Sequence, residues 1–202
     1  MATRPITGIF DRFEDAAQAV HDLEAAGIPA RDISLVANNV DGKQKSVATT
    51  EAGPGAGTGA AVGGVAGGAA GVLAGLGMLA IPGVGPVVAA GWLVATAVGA
   101  VAGGTAGAAV GGITGTFVAA GIDQNDADFY AETIRRGGTV VTAKPDDEHR
   151  VAAEQIFSRR AINAVDRRKL YQDAGWKSFD PAAPTFTQSE IDAERRRYSA
   201  NP

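Results

Sequence analysis

Few residues in this sequence have the chemistry needed for catalysis or metal binding. The chain has 202 residues, no cysteine and only two histidines, His21 and His149. The lack of cysteine excludes a thiol nucleophile, a disulfide and a thiolate metal site. Acidic pairs such as Asp146 and Asp147 occur, but no base or nucleophile accompanies them in a recognisable pattern. We therefore predict that the protein is not an enzyme and has no catalytic residue, metal site or cofactor.

Two glycine-rich stretches resemble nucleotide-binding loops in composition only. Residues 53–64 lack the Gly-Lys-Ser/Thr ending of a P-loop. Gly75, Gly77 and Ala80 have the spacing of a dinucleotide-binding turn, but no predicted strand precedes them. The net charge of −4 provides no overall attraction for nucleic acid. We expect no nucleic-acid partner, and the sequence leaves any small-molecule ligand unknown.

One uncharged stretch dominates the organisation of the chain. None of the 18 basic and 22 acidic residues lies between Glu51 and Asp123, and this stretch holds 22 of the 28 glycines. Two runs of glycines at four-residue spacing occur in it: Gly55, Gly59, Gly63, Gly67, Gly71 and Gly75, then Gly99, Gly103, Gly107, Gly111 and Gly115. This spacing places the glycines on one strip of a helix, where another backbone approaches closely. We therefore predict a helix-packing glycine zipper.

The uncharged stretch has one interruption, the segment IPGVGP at residues 81–86. The residues predicted to form a hairpin turn there are Pro82, Gly83, Gly85 and Pro86. The turn would join helices of about 56–80 and 87–120, each longer than the roughly 20 residues that cross a bilayer core. Basic residues flank the stretch but are absent from the tip, which places both termini in the cytoplasm.

The flanking segments have the strand and helix patterns of an α+β domain. Apolar runs predict strands at 5–10, 32–38, 138–145 and 162–165, and apolar periodicity predicts helices at 13–26, at 126–136 and after residues 146–148. The last of these helices is expected to bury Val151, Ala152 and Ile156. Without the uncharged stretch and the helix after it, the order is βαββαβ, a ferredoxin-like split βαβ fold.

The predicted fold is therefore α+β, with a ferredoxin-like domain interrupted by a long Gly/Ala-rich α-helical hairpin. Residues 1–51 form the first half of the domain and a linker, 52–122 the hairpin, 123–165 the second half, and 166–202 a mostly irregular C-terminal tail. The tail loses apolar periodicity, but Trp176, Phe179 and Phe186 are candidates to attach it to the domain.

Three segments together resemble the general stress protein 17M-like (heat-induced stress protein) family. They are the opening ITGIFDRFEDAAQAVHDLEAAGIPARDISLVAN, the glycine zipper with its IPGVGP turn, and DADFYAETIRRGGTVVTAKPDDEHR. The resemblance covers nearly the whole chain, because the tail AGWKSFDPAAPTFTQSEIDAERRRY is also similar to the end of proteobacterial members. It implies a bacterial, stress-induced, membrane-associated protein of undetermined molecular function, and it offers no catalytic residues.

The leading hypothesis is a non-enzymatic general stress protein in the bacterial inner membrane, with both termini cytoplasmic. Its glycine-zipper hairpin would pack against itself, so the expected partners are further copies of the chain and the lipid bilayer. One alternative is a soluble, cytoplasmic homo-oligomer with the Gly/Ala hairpin buried at its centre. Another is a small-ligand sensor, which rests on fold analogy alone.

Overall fold

The computed structural model describes residues 4–43, 77–93 and 106–199. These residues form an α+β structure with one five-stranded antiparallel sheet, which confirms the predicted fold class. The strands are β1 (Ile6–Phe10), β2 (Ile33–Asn38), β3 (Gly77–Ile81), β4 (Gly85–Gly91) and β5 (Thr139–Ala143). The helices are α1 (Phe13–Ala25), α2 (Ala106–Ala119), α3 (Gln124–Arg135), α4 (Arg150–Arg160), α5 (Ala164–Asp173) and α6 (Gln188–Ser199), with a short 3-10 turn at Ala30–Asp32.

The strand order joins the two predicted halves of the domain. Across the sheet the order is β1-β5-β2-β4-β3, and every neighbouring pair is antiparallel. β5 comes from the second half and lies between β1 and β2, where Ala143 is the partner of both Ile6 and Ile33. The expectation that the two flanking segments pack together is therefore correct.

Helices α1 and α4 cover one face of the sheet. Side chains alternate between the faces of a strand, so Ile33 and Leu35 of β2 point to the same side as Val141 of β5. They pack against Val20 and Leu23 of α1, both fully buried. The periodicity of α1 thus predicts its buried face. On α4 the prediction is correct for Ile156, which is buried, and wrong for Val151, which is 61% exposed, while Ala152 is half-buried. Ala153 and Phe157 complete the buried face.

The opposite face is covered by α2, α3 and the C-terminal helices. The side chain of Asp123 accepts a hydrogen bond from the Asn125 amide and caps α3, so Asp123 is the cap of the two that the sequence offers, Asp123 and Asn125. Phe129 of α3 and Phe117 of α2 lie in the core on this face with Val36 of β2. The sheet is therefore enclosed between two helical layers.

The predicted helical hairpin is wrong at residues 77–91. These residues form the β-hairpin of β3 and β4, and β4 adds to β2 with Val36 opposite Ala89. The turn is where it was expected, because the Val84 amide donates to Ile81 O at 3.1 Å. Valine and alanine in this segment are compatible with either structure, and β4 becomes a strand because β2 offers an edge to pair with. The rest of the two predicted helices up to residue 105 lies outside the described residues.

The predicted fourth strand at residues 162–165 is also wrong. Ile162 donates one hydrogen bond to Ile9 O of β1 at 2.9 Å, and Asn163 then caps α5 with its side chain. The cap starts a helix two residues after the contact with β1, so a strand does not develop. The ferredoxin-like arrangement therefore has three of its four predicted strands in this structure.

The C-terminal tail is not mostly irregular. α5 and α6 are helical, and Tyr171, Ile191 and Tyr198 are buried against the rest of the protein. Phe179 is 9% exposed, in line with its predicted role in attaching the tail. The polar composition of this segment does not predict its packing, because many of the side chains that it buries are charged or aromatic. Within the described residues, no helix combines the length and the apolar character needed to cross a membrane.

Candidate functional site

The two histidines occupy different environments. His21 is exposed on α1. His149 precedes α4, and both its amide and its Nδ1 contact Asp146 Oδ1, at 2.9 and 2.5 Å. These hydrogen bonds lower the pKa of the Asp146 carboxyl. Across residues 4–43, 77–93 and 106–199, no three His, Asp or Glu side chains come together as metal ligands.

The predicted glycine zipper lies partly within the described residues. Gly107, Gly111 and Gly115 belong to α2. The remaining eight zipper glycines, in the first run and at Gly99 and Gly103, lie outside the described part of the chain. α2 is kinked at Gly112, which has φ 53° and ψ −135°, so the spacing of four does not follow one straight helix.

The exposed side of α2 carries the end of the second glycine run. Ile113 and Phe117 are buried and face α3, whereas Ala119 is exposed and Gly115 is half-buried. Val118 beside them is 40% exposed. Small residues on this side leave the backbone of α2 open to close approach by another helix.

The predicted turn residues connect two strands. Pro82 and Gly83 lie in the turn, while Gly85 and Pro86 begin β4. Gly83 has φ +73°, and a Cβ at this position would lie 2.7 Å from the Cα of Pro181. Glycine is therefore required twice, by the backbone conformation and by the close approach of the C-terminal segment.

A cluster of charged side chains joins α3 to α6. Glu132 is fully buried, and its carboxylate accepts hydrogen bonds from Arg135 Nε at 2.9 Å and from Arg136 Nε at 2.6 Å. Arg136 Nη1 donates to Glu194 Oε2 of α6 at 2.8 Å. Tyr198 donates a very short hydrogen bond to the same carboxylate oxygen. We call Glu132, Arg135, Arg136, Glu194 and Tyr198 the charged cluster.

The pKa shifts in the charged cluster follow from mutual pairing. Burial opposes the charge of Arg136, but the two carboxylates outweigh burial and raise the pKa of its guanidinium. Burial also favours neutral Glu194, but hydrogen bonds from Tyr198 and the neighbouring arginines outweigh it and lower its pKa. Burial raises the pKa of the Tyr198 hydroxyl, and the adjacent carboxylate adds to this effect. Arg136 and Glu194 therefore favour the charged form of each other.

A second ion pair attaches α5 beside the charged cluster. Arg167 donates to both oxygens of Asp11, at 2.5 and 2.9 Å, and it is 5% exposed. Its guanidinium carbon lies 3.8 Å from the centre of the Tyr198 ring. Tyr171 lies beneath the cluster, with Arg136 4.4 Å above its ring. Bidentate pairing and stacking on aromatic rings are geometries that arginine favours and lysine does not reproduce.

This arrangement uses its charges to hold helices together. The Glu132 carboxylate is occupied by two guanidinium groups, and the Asp11 carboxylate by a third. Sequence reasoning missed the cluster, although Glu132 precedes Arg135 and Arg136 at the spacing that pairs charges on a helix. Nothing in the sequence pointed to Glu194, because its contact with Arg136 spans 58 residues.

The fold and these contacts define an α+β protein whose antiparallel sheet is enclosed by its own helices. Residues 5–84 match the family of the heat induced stress protein YflT domain. This match confirms the resemblance found in the sequence and is consistent with a general stress protein. The matched span ends in the β3–β4 turn, so central strand β5 lies outside it. Comparisons with curated proteins and with solved structures give no significant match.

Proposed function

We propose that the protein acts in the bacterial stress response without catalysing a reaction, by associating with further copies of itself. The observation that carries this proposal is the stress protein domain at residues 5–84. The charged cluster supports the non-enzymatic part, because its ionised groups bind one another inside the protein. Charges that are paired internally are not directed at a substrate, and removing one partner would leave the other buried and uncompensated.

The surface proposed for self-association is the exposed side of α2. The glycine run reaches this side at Gly115 and Ala119, opposite the buried Ile113 and Phe117. Glycine lowers helix stability by about 0.8–1 kcal/mol relative to alanine in water, so a repeated glycine needs a compensating contact. Close packing of two helices along the run supplies that contact.

We further propose that β1, β5 and β2 with α1 and α4 are a ferredoxin-like unit that has lost its fourth strand. The position of β5 between β1 and β2 supports this relation, as does the single hydrogen bond from Ile162 to Ile9 at the outer edge of β1. The glycine-rich segment and the C-terminal helices would then be additions to this unit.

Substitution of Gly115 tests the proposed surface. Gly115→Leu is expected to abolish or weaken the oligomer measured by light scattering on the full-length protein, because the added side chain separates the packed backbones. Ala174→Leu is the control, since Ala174 is exposed at the end of α5 and is not on α2. Equal oligomer size for the two variants would contradict the proposal.

Attachment to the inner membrane is the second candidate, and it rests on the absence of charge between residues 52 and 122. Cell fractionation followed by a carbonate wash decides it. Retention in the washed membranes would support attachment, while release of the protein into the wash would reject it and leave self-association as the proposed function.

A further inference from the structure

The two edges of the sheet are protected differently. At the β1 edge, Ile162 donates to Ile9 O, and a Cβ on Gly8 would lie only 2.4 Å from the Phe157 ring. The segment after α4 therefore occupies part of that edge, while Phe157 of α4 packs on the face of β1 beside it. At the other edge β3 pairs with β4, and no second strand pairs with β3 within the described residues.

Contacts of β4 show which backbone groups of β3 face outward. The Asn39 amide donates to Pro86 O at 2.9 Å, so the backbone of Pro86 is directed towards β2. Ala80 is the partner of Pro86 on β3. In an antiparallel ladder, successive residues direct their N–H and C=O groups to alternate sides. The backbone groups of Ala80 therefore point away from β4, and those of Met78, two residues earlier, do the same.

β3 lacks the features that discourage pairing at a sheet edge. Residues Gly77–Ile81 include no charged residue and no proline, and none of them has a positive φ. The register with β4 is regular from Gly77 to Ile81, without a bulge. The Met78 side chain is 58% exposed. Lysine, proline and bulges are the usual means by which proteins block such edges.

We infer that β3 is an interface at which a second copy of this chain adds its own β3 in antiparallel orientation. In the register that uses every outward group, Met78 of one copy lies opposite Ala80 of the other, and the two-fold axis passes through Leu79. The N–H and C=O groups of both residues are then bonded, and the two sheets join into one.

A second copy fits this edge better than an unrelated strand for two reasons. The whole segment from residue 52 to residue 122 is uncharged, so two copies approach without repulsion between like charges. Pairing of the two β3 strands also satisfies both edges at once, so this contact closes at two copies. The inference goes beyond the proposed function, because the edge of β3 is separate from the glycine run on α2.

The test uses the full-length protein in analytical ultracentrifugation. Met78→Lys places like charges across the interface, and Ala80→Pro removes an outward N–H without breaking a hydrogen bond between β3 and β4. Each change is expected to weaken the dimer by about tenfold or more. Val165→Lys is the matched control, since Val165 is 76% exposed on α5 and the charge gained is the same. If Ala80→Pro disturbs the hairpin by circular dichroism, Met78→Lys decides the result.

Hydrogen exchange gives a second reading of the same interface. The amides of Met78 and Ala80 are expected to be protected at high protein concentration and to exchange faster on dilution. A monomer at every concentration, or a dimer that Met78→Lys leaves unchanged, would overturn the inference. Loss of assembly in Gly115→Leu alone would reject the β3 interface and keep the α2 surface. Loss in Met78→Lys alone would support the β3 interface and reject the α2 surface.

Discussion

The two faces of the sheet are covered by helices of different chemistry. On the α1 and α4 face the core is aliphatic and aromatic, with Val20, Leu23 and Phe157 packed on the strands. On the other face, α3 and α6 meet through the fully buried Glu132 and the Arg136–Glu194 pair. The first face is thus stabilised mainly by removal of apolar surface from water, whereas the second also contains buried charges that each need their partner.

This difference shows what each kind of contact specifies. Apolar contacts have little directional preference, and on the first face the helices are positioned by the short connections that join them to the strands. α6 comes from a distant part of the chain, and its position is set by hydrogen-bonded ion pairs that are satisfied in one geometry. The contact of Ile191 with Gly137 is consistent with this positioning, because a Cβ on Gly137 would lie 2.3 Å from the Ile191 side chain.

The largest expected effect comes from breaking the charged cluster. Glu132→Ala leaves the buried Arg136 and the half-buried Arg135 without their shared carboxylate, and we expect the free energy of unfolding to fall by about 3–5 kcal/mol. Urea denaturation measures the change. Glu154→Ala is the control, because its carboxylate is 53% exposed and pairs with Arg150 at the surface. Similar losses of unfolding free energy for the two variants would show that the buried carboxylate contributes no more to stability than an exposed one.

Truncation on the apolar face tests the other half of the comparison. Leu23 is fully buried on α1, so Leu23→Ala is expected to destabilise the protein by about 3 kcal/mol through lost apolar burial and the cavity left behind. The loss measured in urea should be the same at pH 7 and pH 4, because no charged group of the cluster contacts this face. A loss that changes strongly with pH would mean that the two faces are not independent.

Mild acid is expected to have a smaller effect, which on the face with the charged cluster acts through Glu194. The folded-state pKa of Glu194 lies below its ordinary value of 4.5, so the unfolded state binds the proton first as pH falls. Its contribution to stability is complete above about pH 4.5 and is lost as pH falls towards the lowered pKa. Tryptophan fluorescence of Trp176 follows the docking of the C-terminal segment through an acid titration.

The control for this titration is Glu194→Gln, which removes the titrating group and keeps the shape of the side chain. The variant should be less stable at pH 7 and should lose less additional stability between pH 5 and pH 3. An acid profile identical to that of the unsubstituted protein would contradict the role assigned to Glu194.

The parts that the sequence predicted well are those stabilised by local patterns. β1, β2 and β5 are apolar runs, α1 has a periodic apolar face, and α3 has the Asp123 cap. Only part of the charged cluster could be predicted from the sequence. Glu132, Arg135 and Arg136 lie close together at the end of α3, whereas Glu194 is 58 residues away from Arg136. The exposed Val151 shows that apolar character alone does not predict burial, since an apolar residue near the start of a helix need not face the core.

By itself the sequence determined the α+β class, the family resemblance and the position of the turn at residues 82–84. Proline and glycine define a turn through local backbone geometry, whatever structure lies on either side. Only the tertiary structure decided that Gly77–Ile81 and Gly85–Gly91 are strands and that the tail forms helices on the core. A strand forms its hydrogen bonds with a partner strand that is distant in the sequence. A charged helix can be buried only where residues of opposite charge pair with it. The residues of each segment, taken alone, identify neither the partner strand nor the partner charges.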